Sequence, residues 1–384
     1  MQETYNKKHN FRAWLPESKI EPSALEQIHN LAQLPDVHQW IAVMPDVHPG
    51  FGMPIGGVLA LKENIIPNAV GVDIGCGVLA ISTNLKEHQV RPKVETLLRE
   101  FLREVPVGFK KRSTPLASKL WQKLPSSPVV RREEKNARLQ IGSLGGGNHF
   151  IEIQQDPEGT IWLMLHSGSR NLGKQIADHY DKLARQELSN RNISFPRGLA
   201  WLKFDSHSGK EYFQAMQFAV NFAAENRRQM AEICIQVLQN HFPGLQWEQQ
   251  AETIHNYAAR EEHYGATVTL HRKGAVLARG KVAIPGTMGT ASYIAQGLEH
   301  PASFCSCAHG AGRVLGRKEA RRKLNSREVM DHLEKQQIVL ITPDRSSAIE
   351  EASAAYKDIE EVMGYQQQLV KPLLRLTPLG VIKG

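Results

Sequence analysis

The sequence predicts an α+β fold, a single large mixed domain of short strands with flanking helices spanning residues 1–384, and three observations carry that expectation. Short apolar runs at residues 39–44, 57–61, 78–82, 161–165, 268–270 and 338–341 are bounded by glycine, proline or polar residues, as buried strands are. Elsewhere apolar residues recur every three or four positions, the period of one helix face. The two kinds of segment do not alternate regularly, which argues against a doubly wound parallel sheet.

From the N-terminus, Ser23-Ala24-Leu25-Glu26 has the capping-box pattern, and Ile28, Leu31 and Leu34 follow at helical spacing, so a first helix is expected to about residue 34. Residues 39–44 read as a buried strand ending at Pro45-Asp46-Val47-His48, which places Asp46 and His48 where strand gives way to loop. A helix over residues 91–104 carries Val94, Leu97, Leu98, Phe101 and Leu102 on one face. The basic, proline-containing stretch that follows, residues 105–138, holds Lys110, Lys111, Arg112, Arg131 and Arg132 and reads either as a solvated loop or as a contact to a nucleic-acid backbone phosphate. Helices are expected at residues 174–188 and 211–238; in the second, Phe213, Met216, Val220, Met230 and Cys234 read as core. Helices at residues 326–335 and 358–369 flank the strand at 338–341. No repeat, low-complexity tract or linker divides the chain.

With 41% hydrophobic and 22% charged residues the composition is that of a globular protein. The net charge of +8 favours a polyanionic partner such as nucleic acid or nucleotide. The four cysteines, Cys76, Cys234, Cys305 and Cys307, match neither a disulfide framework nor a zinc knuckle, so a reducing, cytoplasmic compartment is expected. The N-terminus lacks the apolar core of a signal peptide, and no run is long enough to cross a membrane.

The chemistry gathers at glycine-rich turns. In Gly71-Val72-Asp73-Ile74-Gly75-Cys76-Gly77 a hard carboxylate and a soft thiol lie three residues apart on backbone freed by glycine, which points to a metal of borderline softness; the alternative is a buried cysteine beside a turn aspartate. Gly145-Gly146-Gly147 precedes Asn148-His149, His166 emerges from a strand end, and His255 follows apolar Ile254. Asp73, Cys76, His149, His166 and His255 together suit two metals bridged by the Cys76 thiolate, an arrangement fitted to phosphoryl or nucleotidyl transfer. Mn²⁺ and Zn²⁺ both fit these ligand types. His309 lies in His309-Gly310-Ala311-Gly312-Arg313, where small neighbours admit a phosphate and Arg313 offers a cation to the developing charge, so it reads as a nucleophile, with a further ligand or a buried histidine as the alternative.

The segments Met44-Pro45-Asp46-Val47-His48, Val70-Gly71-Val72-Asp73-Ile74-Gly75-Cys76-Gly77, Gly145-Gly146-Gly147-Asn148-His149-Phe150, His166-Ser167-Gly168-Ser169-Arg170, His255-Asn256-Tyr257, His271-Arg272-Lys273-Gly274, Pro285-Gly286-Thr287-Met288-Gly289 and His309-Gly310-Ala311-Gly312-Arg313 resemble, in order, those of the RtcB family of RNA ligases. The resemblance runs from about residue 12 to the C-terminus. It implies a GTP- and Mn²⁺-dependent ligase joining RNA 3′-phosphate or 2′,3′-cyclic phosphate ends to 5′-hydroxyl ends in tRNA splicing or RNA repair. One manganese would be held by Cys76, His166 and His255, the second by Asp73, Cys76 and His149. His309 would take GMP from GTP as a phosphoramidate and pass it to the RNA 3′-phosphate. Guanylate contacts would come from Asn148, His149, Phe150, Ile151, Glu152, His255, Asn256, Pro285, Gly286, Thr287, Met288, Ser292, His309, Gly310, Ala311, Gly312 and Lys383, with Tyr356 bordering the guanine. Implied partners are RNA, as tRNA halves or other cleaved RNA, and an archease-type activator protein.

The chain departs from the family pattern at Ala308 and Gly316, where serine is usual, at Ile254, where a second histidine is common, and in the loop Gly52-Met53-Pro54-Ile55-Gly56-Gly57. These differences bear on substrate and pathway rather than chemistry. Two other readings remain: a metal-dependent RNA-end phosphodiesterase that does not ligate, and a nucleic-acid-binding protein with a vestigial site.

Overall fold

The computed structural model describes residues 3–343 and 345–384. In chain order the first half contains β1 (Thr4–Asn6), β2 (Phe11–Ala13), α1 (Pro22–Ala32), β3 (Ile41–His48), β4 (Ile55–Leu61), β5 (Asn64–Ile65), α2 (Pro67–Val70), β6 (Gly77–Lys86), α3 (Glu87–Val90), α4 (Val94–Glu104), α5 (Pro128–Gln140), β7 (Phe150–Gln155), β8 (Thr160–Ser167) and α6 (Arg170–Asn190). There follow β9 (Leu202–Lys203), α7 (His207–His241), β10 (Trp247–Ile254), β11 (Asn256–His263), β12 (Ala266–Lys273), β13 (Ala275–Leu277), β14 (Lys281–Ile284), β15 (Ser292–Gly297), β16 (Ser306–Ala308), α8 (Arg317–Lys323), α9 (Ser326–Lys335), β17 (Val339–Ile341), α10 (Arg345–Glu350), α11 (Ile359–Tyr365) and β18 (Val370–Lys383). The fold is α+β, as expected, and its long sheets are mostly antiparallel.

Two sheets organise the molecule. One runs β1-β2-β3-β4-β12-β11; the other runs β10-β6-β8-β7-β18-β15-β14, with β17 added in parallel on β18. In the first sheet Ile41 and Val43 face Ala24, Ile28 and Leu31 of α1, whereas the alternate residues Ala42 and Met44 pack with Ile284, Phe304 and Cys307. In the second, Leu79, Ile81, Leu163 and Leu165 meet α4 and α7 through Phe101, Met230 and Cys234, and Val78, Ala80 and Met164 line the opposite face. Strands buried on both faces read as unbroken apolar runs, which is why they are visible in sequence.

Several elements differ from expectation. β3 continues through Pro45 to His48, and a register shift on β4 between Val43 and His48 absorbs the proline. Residues 105–138, expected as loop, contain most of α5, which starts at Pro128 after Ser127 and buries Val129, Val130 and Ala137 beneath a charged outer face. Arg112 is no free cation there: its Nη2 donates to the Glu104 and Gly142 carbonyls. β10 and β11 flank His255, and the helix expected over 358–369 ends at Tyr365. Among the described residues no helix is long and apolar enough to cross a membrane.

Candidate metal and nucleotide site

Strand order explains why distant histidines meet. β10, β6, β8 and β7 are neighbours, and at one end of the sheet Ile254 pairs with Gly77, Gly77 with Ser167, and His166 with Phe150. His255, Cys76, His166 and His149 stand at or one residue beyond these ends, so they cross the sheet in a row. Gly77 has no room for a side chain: a Cβ would lie 2.1 Å from the Thr253 carbonyl oxygen. Gly75 has φ +73° and donates its N–H to Asn256 O at 2.8 Å, turning the chain between Asp73 and Cys76.

The buried Cys76 Sγ lies 3.2 Å from His166 Nε2 and 3.3 Å from His149 Nε2; His166 Nε2 lies 3.3 Å from His255 Nε2, and His149 Nε2 lies 2.9 Å from Asp73 Oδ2. Cys76, His166 and His255 therefore form one triad, Asp73, Cys76 and His149 another, each with ligand atoms within 4.8 Å of one another and sharing the thiol. The imidazoles are aimed from behind. His149 Nδ1 lies 3.0 Å from Leu144 O and His166 Nδ1 3.2 Å from Asn148 O, so the Nδ1–H groups donate there and leave both Nε2 lone pairs facing the cluster.

Burial holds His166 and His255 well below the ordinary imidazole range. Burial, with Asp73 beside it, pushes the Cys76 thiol well up. Burial would also raise Asp73, but His149 brings its carboxyl down to about 2. Neutral imidazole nitrogens packed against a thiol and a carboxylate fit divalent cations, whose charge favours the thiolate and fills the space between facing lone pairs. That donor set fits a metal site, with Cys76 common to both triads.

Two residues of the long helix α7 hold this site, and sequence reading left them unassigned in an apolar helix. Arg227, fully buried, donates from Nη1 to the carbonyls of Gly75 (2.8 Å) and Ser167 (2.9 Å) and pairs with Glu252 at 2.8 Å. Asn226 donates from Nδ2 to Ser143 O and Ser167 Oγ while its Oδ1 accepts from Ser143 N. The one signal in sequence is two polar side chains on the helix stripe that otherwise carries Phe222, Ala223 and Met230.

His309 follows β16, beside His255 with ring centres 4.8 Å apart. Asp46, wholly buried on β3, accepts with Oδ2 from the His309 backbone N–H (3.0 Å) and from Nδ1 (2.5 Å). Nε2 is left as the nitrogen with an available lone pair. Sequence reading placed Asp46 at a functional edge without a partner; the partner is 263 residues away, one residue past β16. Gly312, at φ +72°, lets the chain pass beneath: a Cβ would stand 2.2 Å from Asp46 O.

A cavity of about 1000 Å³ opens over the triads and His309. Asn148, His149, Phe150, His255, Asn256, Pro285, Gly286, Thr287, Gly310, Ala311, Gly312, Tyr356 and Lys383 reach its wall. Ile151, Glu152, Met288 and Ser292 lie buried behind it; Ser292 Oγ accepts from Gly286 N at 3.2 Å and so braces the turn. Burial raises Glu152 to about 7 against the pull of Lys383. Arg313, expected as a cation for phosphate, is engaged by Glu351 (3.0 Å), Tyr356 OH (2.8 Å) and Glu350 O (2.5 Å). Lys273, Arg317, Lys323 and Lys383 are the other cations on the wall, and burial brings Lys273 down to about 7.

Residues 27–126 and 117–384 match the sequence model of a family described as tRNA-splicing ligase RtcB. The chain is 35% identical to an RNA-splicing ligase RtcB of Escherichia coli over 399 residues, covering 97% of each protein. It is 33% identical to a tRNA-splicing ligase RtcB of Thermococcus kodakarensis, covering 96% of this chain and 93% of the relative. With an RNA-splicing ligase RtcB of Mycobacterium tuberculosis it shares 32% identity over 93% of this chain and 100% of the relative.

Proposed function

The chain belongs to the tRNA-splicing ligase RtcB family, and from that premise we propose that it is a single-domain RNA ligase joining 3′-phosphate or 2′,3′-cyclic phosphate ends to 5′-hydroxyl ends, with GTP and two Mn²⁺, in tRNA splicing or RNA repair. The observation that carries the reading is the placement of His309, gripped by Asp46 through Nδ1, beside two ligand triads that share Cys76. Divalent ions held by Cys76, His166 and His255 and by Asp73, Cys76 and His149 would supply Lewis acidity to phosphate oxygens.

His309 Nε2 attacks the α-phosphorus of GTP; an N–P bond forms, the bond to the β-phosphate oxygen breaks, and pyrophosphate leaves with the electron pair. Asp46 keeps the proton on Nδ1 and stabilises the positive charge that spreads over the ring. A 2′,3′-cyclic phosphate end first takes up one water, its P–O2′ bond breaking to leave a 3′-phosphate and a 2′-hydroxyl. A 3′-phosphate oxygen then displaces His309 Nε2 from the GMP phosphorus, and the 5′-hydroxyl oxygen attacks the activated 3′-phosphorus, expelling GMP with the P–O electron pair while the hydroxyl proton passes to solvent. Lys383 on the cavity wall would meet the phosphates, and the Pro285–Thr287 turn and Tyr356 would border the nucleotide, whereas the Lys273 ammonium is held by the Phe51 and Asn68 carbonyls at 2.7 and 2.9 Å.

Incubation with α-labelled GTP and Mn²⁺ tests the reading: label is expected on the wild-type protein and none on His309→Ala. Label that persists in His309→Ala refutes the nucleophile, and RNA ends processed without GTP and without joined product favour the phosphodiesterase instead.

A further inference from the structure

We propose that the turn at residues 107–110 is a stacking platform for single-stranded RNA at the rim of the cavity, with Phe109 as the stacking surface and Lys110 and Lys111 as phosphate contacts; this rests on the ligase reading and specifies where its substrate runs. Phe109 is exposed to 106% of its reference surface, whereas Phe51 (55%) and Val314 (50%) keep about half of theirs covered. A lone exposed apolar side chain is ordinary. This one is held on a fixed turn beside the catalytic cavity and is followed by two exposed lysines.

The turn is anchored on both sides of the phenylalanine. Val107 is buried, Gly108 N–H donates to Gly145 O at 2.8 Å, and Leu144 N–H donates to Pro106 O at 2.9 Å. Arg170 Nη2 donates to Gly108 O at 2.6 Å, and Lys110 N–H closes the turn on Val107 O at 3.2 Å. Gly108 has φ +65°, which turns the chain outward and leaves Phe109 at the apex. The other partner of this turn is the glycine loop of the site: a Cβ on Gly146, which lines the cavity, would lie 3.9 Å from Gly108 Cα. Gly108, the residue before Phe109, thus stands against the cavity-lining Gly146.

Charge continues along the same path. The Arg317 guanidinium covers Gly147, where a Cβ would meet Nη2 at 2.6 Å, and Lys323 and Lys383 share the wall. Among the described residues the Lys110 ammonium has no partner, and Lys111 has one hydrogen bond, to Asn136 at 3.3 Å. An open aromatic face next to unpaired cations suits bases and phosphates of a single strand; an apolar protein partner would meet two lysines at the same spot.

The test is the affinity of the full-length protein for a short fluorescent single-stranded RNA ending in a 3′-phosphate, read by anisotropy across a salt series, with melting temperature as the control for folding. Phe109→Ala is expected to weaken binding roughly fivefold or more, Phe109→Trp to restore it within about twofold, and Phe109→Leu to bind like the alanine variant. Lys110→Gln with Lys111→Gln is expected to reduce the slope of log affinity against log salt by about 1.4. Equal binding by wild type and Phe109→Ala, or by the leucine and tryptophan variants, overturns the platform. GTP labelling of the wild type is scored separately: label without Phe109-dependent binding removes the platform and leaves the ligase, and Phe109-dependent binding without label does the reverse.

Discussion

Replacing Asp46 by asparagine preserves side-chain shape and removes the charge that holds His309. The carboxylate oxygen Oδ2 accepts two hydrogen bonds, from His309 N and Nδ1, at a position with no solvent exposure. A hydrogen bond to a charged group contributes about 1.5–3 kcal/mol, so loss of charge alone slows transfer of GMP to His309 roughly 10- to 150-fold. If the amide presents its NH₂ to Nδ1, the ring is driven to the tautomer whose Nε2 carries the proton, and the loss grows to the order of ten-thousandfold. The assay is the single-turnover rate of labelling by α-labelled GTP at saturating Mn²⁺, with the GTP dependence measured alongside. The expected result is a lower rate at little-changed half-saturation by GTP. Labelling by Asp46→Asn at the wild-type rate refutes the orienting role.

Cys76→Ala is expected to lower metal content at both positions and Asp73→Ala chiefly at one, read by metal analysis after gel filtration; equal content in Cys76→Ala and wild type contradicts a shared thiolate. Gly168→Ala sets a Cβ 2.0 Å from Asp73 Oδ1, so it displaces that carboxylate and weakens Mn²⁺ binding about tenfold or more with little change in melting temperature. Glu261 would be raised by burial, but His263 and Arg272 hold it down at about 2, so its contribution to stability is present above the unfolded pKa of about 4.3 and is lost as pH falls towards 2. Glu261→Gln, which strands the buried Arg272, is therefore expected to lower stability by about 3 kcal/mol at neutral pH in urea unfolding, with the gap to wild type closing between about pH 4 and 2.

The clustering of Asp73, Cys76, His149 and His166 was legible because each stands beside a glycine turn near a strand end, a local signal; His255, between Ile254 and Asn256, has no glycine beside it. Strands buried on both faces, such as β6 and β8, were legible as apolar runs. What sequence concealed is non-local or interrupted. β18 contains Pro372, Pro378 and Gly380, and its register shifts between Pro378 and Gly380, so neither strand propensity nor alternation marks a strand that brings Lys383 beside Phe150. α5 buries only Val129, Val130 and Ala137 among six charged side chains, too thin a stripe to separate from a basic loop. Asp46 and Arg227 act through partners far away in the chain, and their residue types alone do not name those partners.

The central claim is that the Cys76 triads and His309 together make an RNA ligase that depends on GTP. The most direct measurement mixes the protein with an RNA ending in 2′,3′-cyclic phosphate and one beginning with a 5′-hydroxyl, with and without GTP and Mn²⁺, and resolves the products by length. A joined product that requires both GTP and Mn²⁺ and disappears in His309→Ala is the result this account predicts. Joining that proceeds without GTP, or opening of the cyclic phosphate with no joined product under any condition, contradicts it.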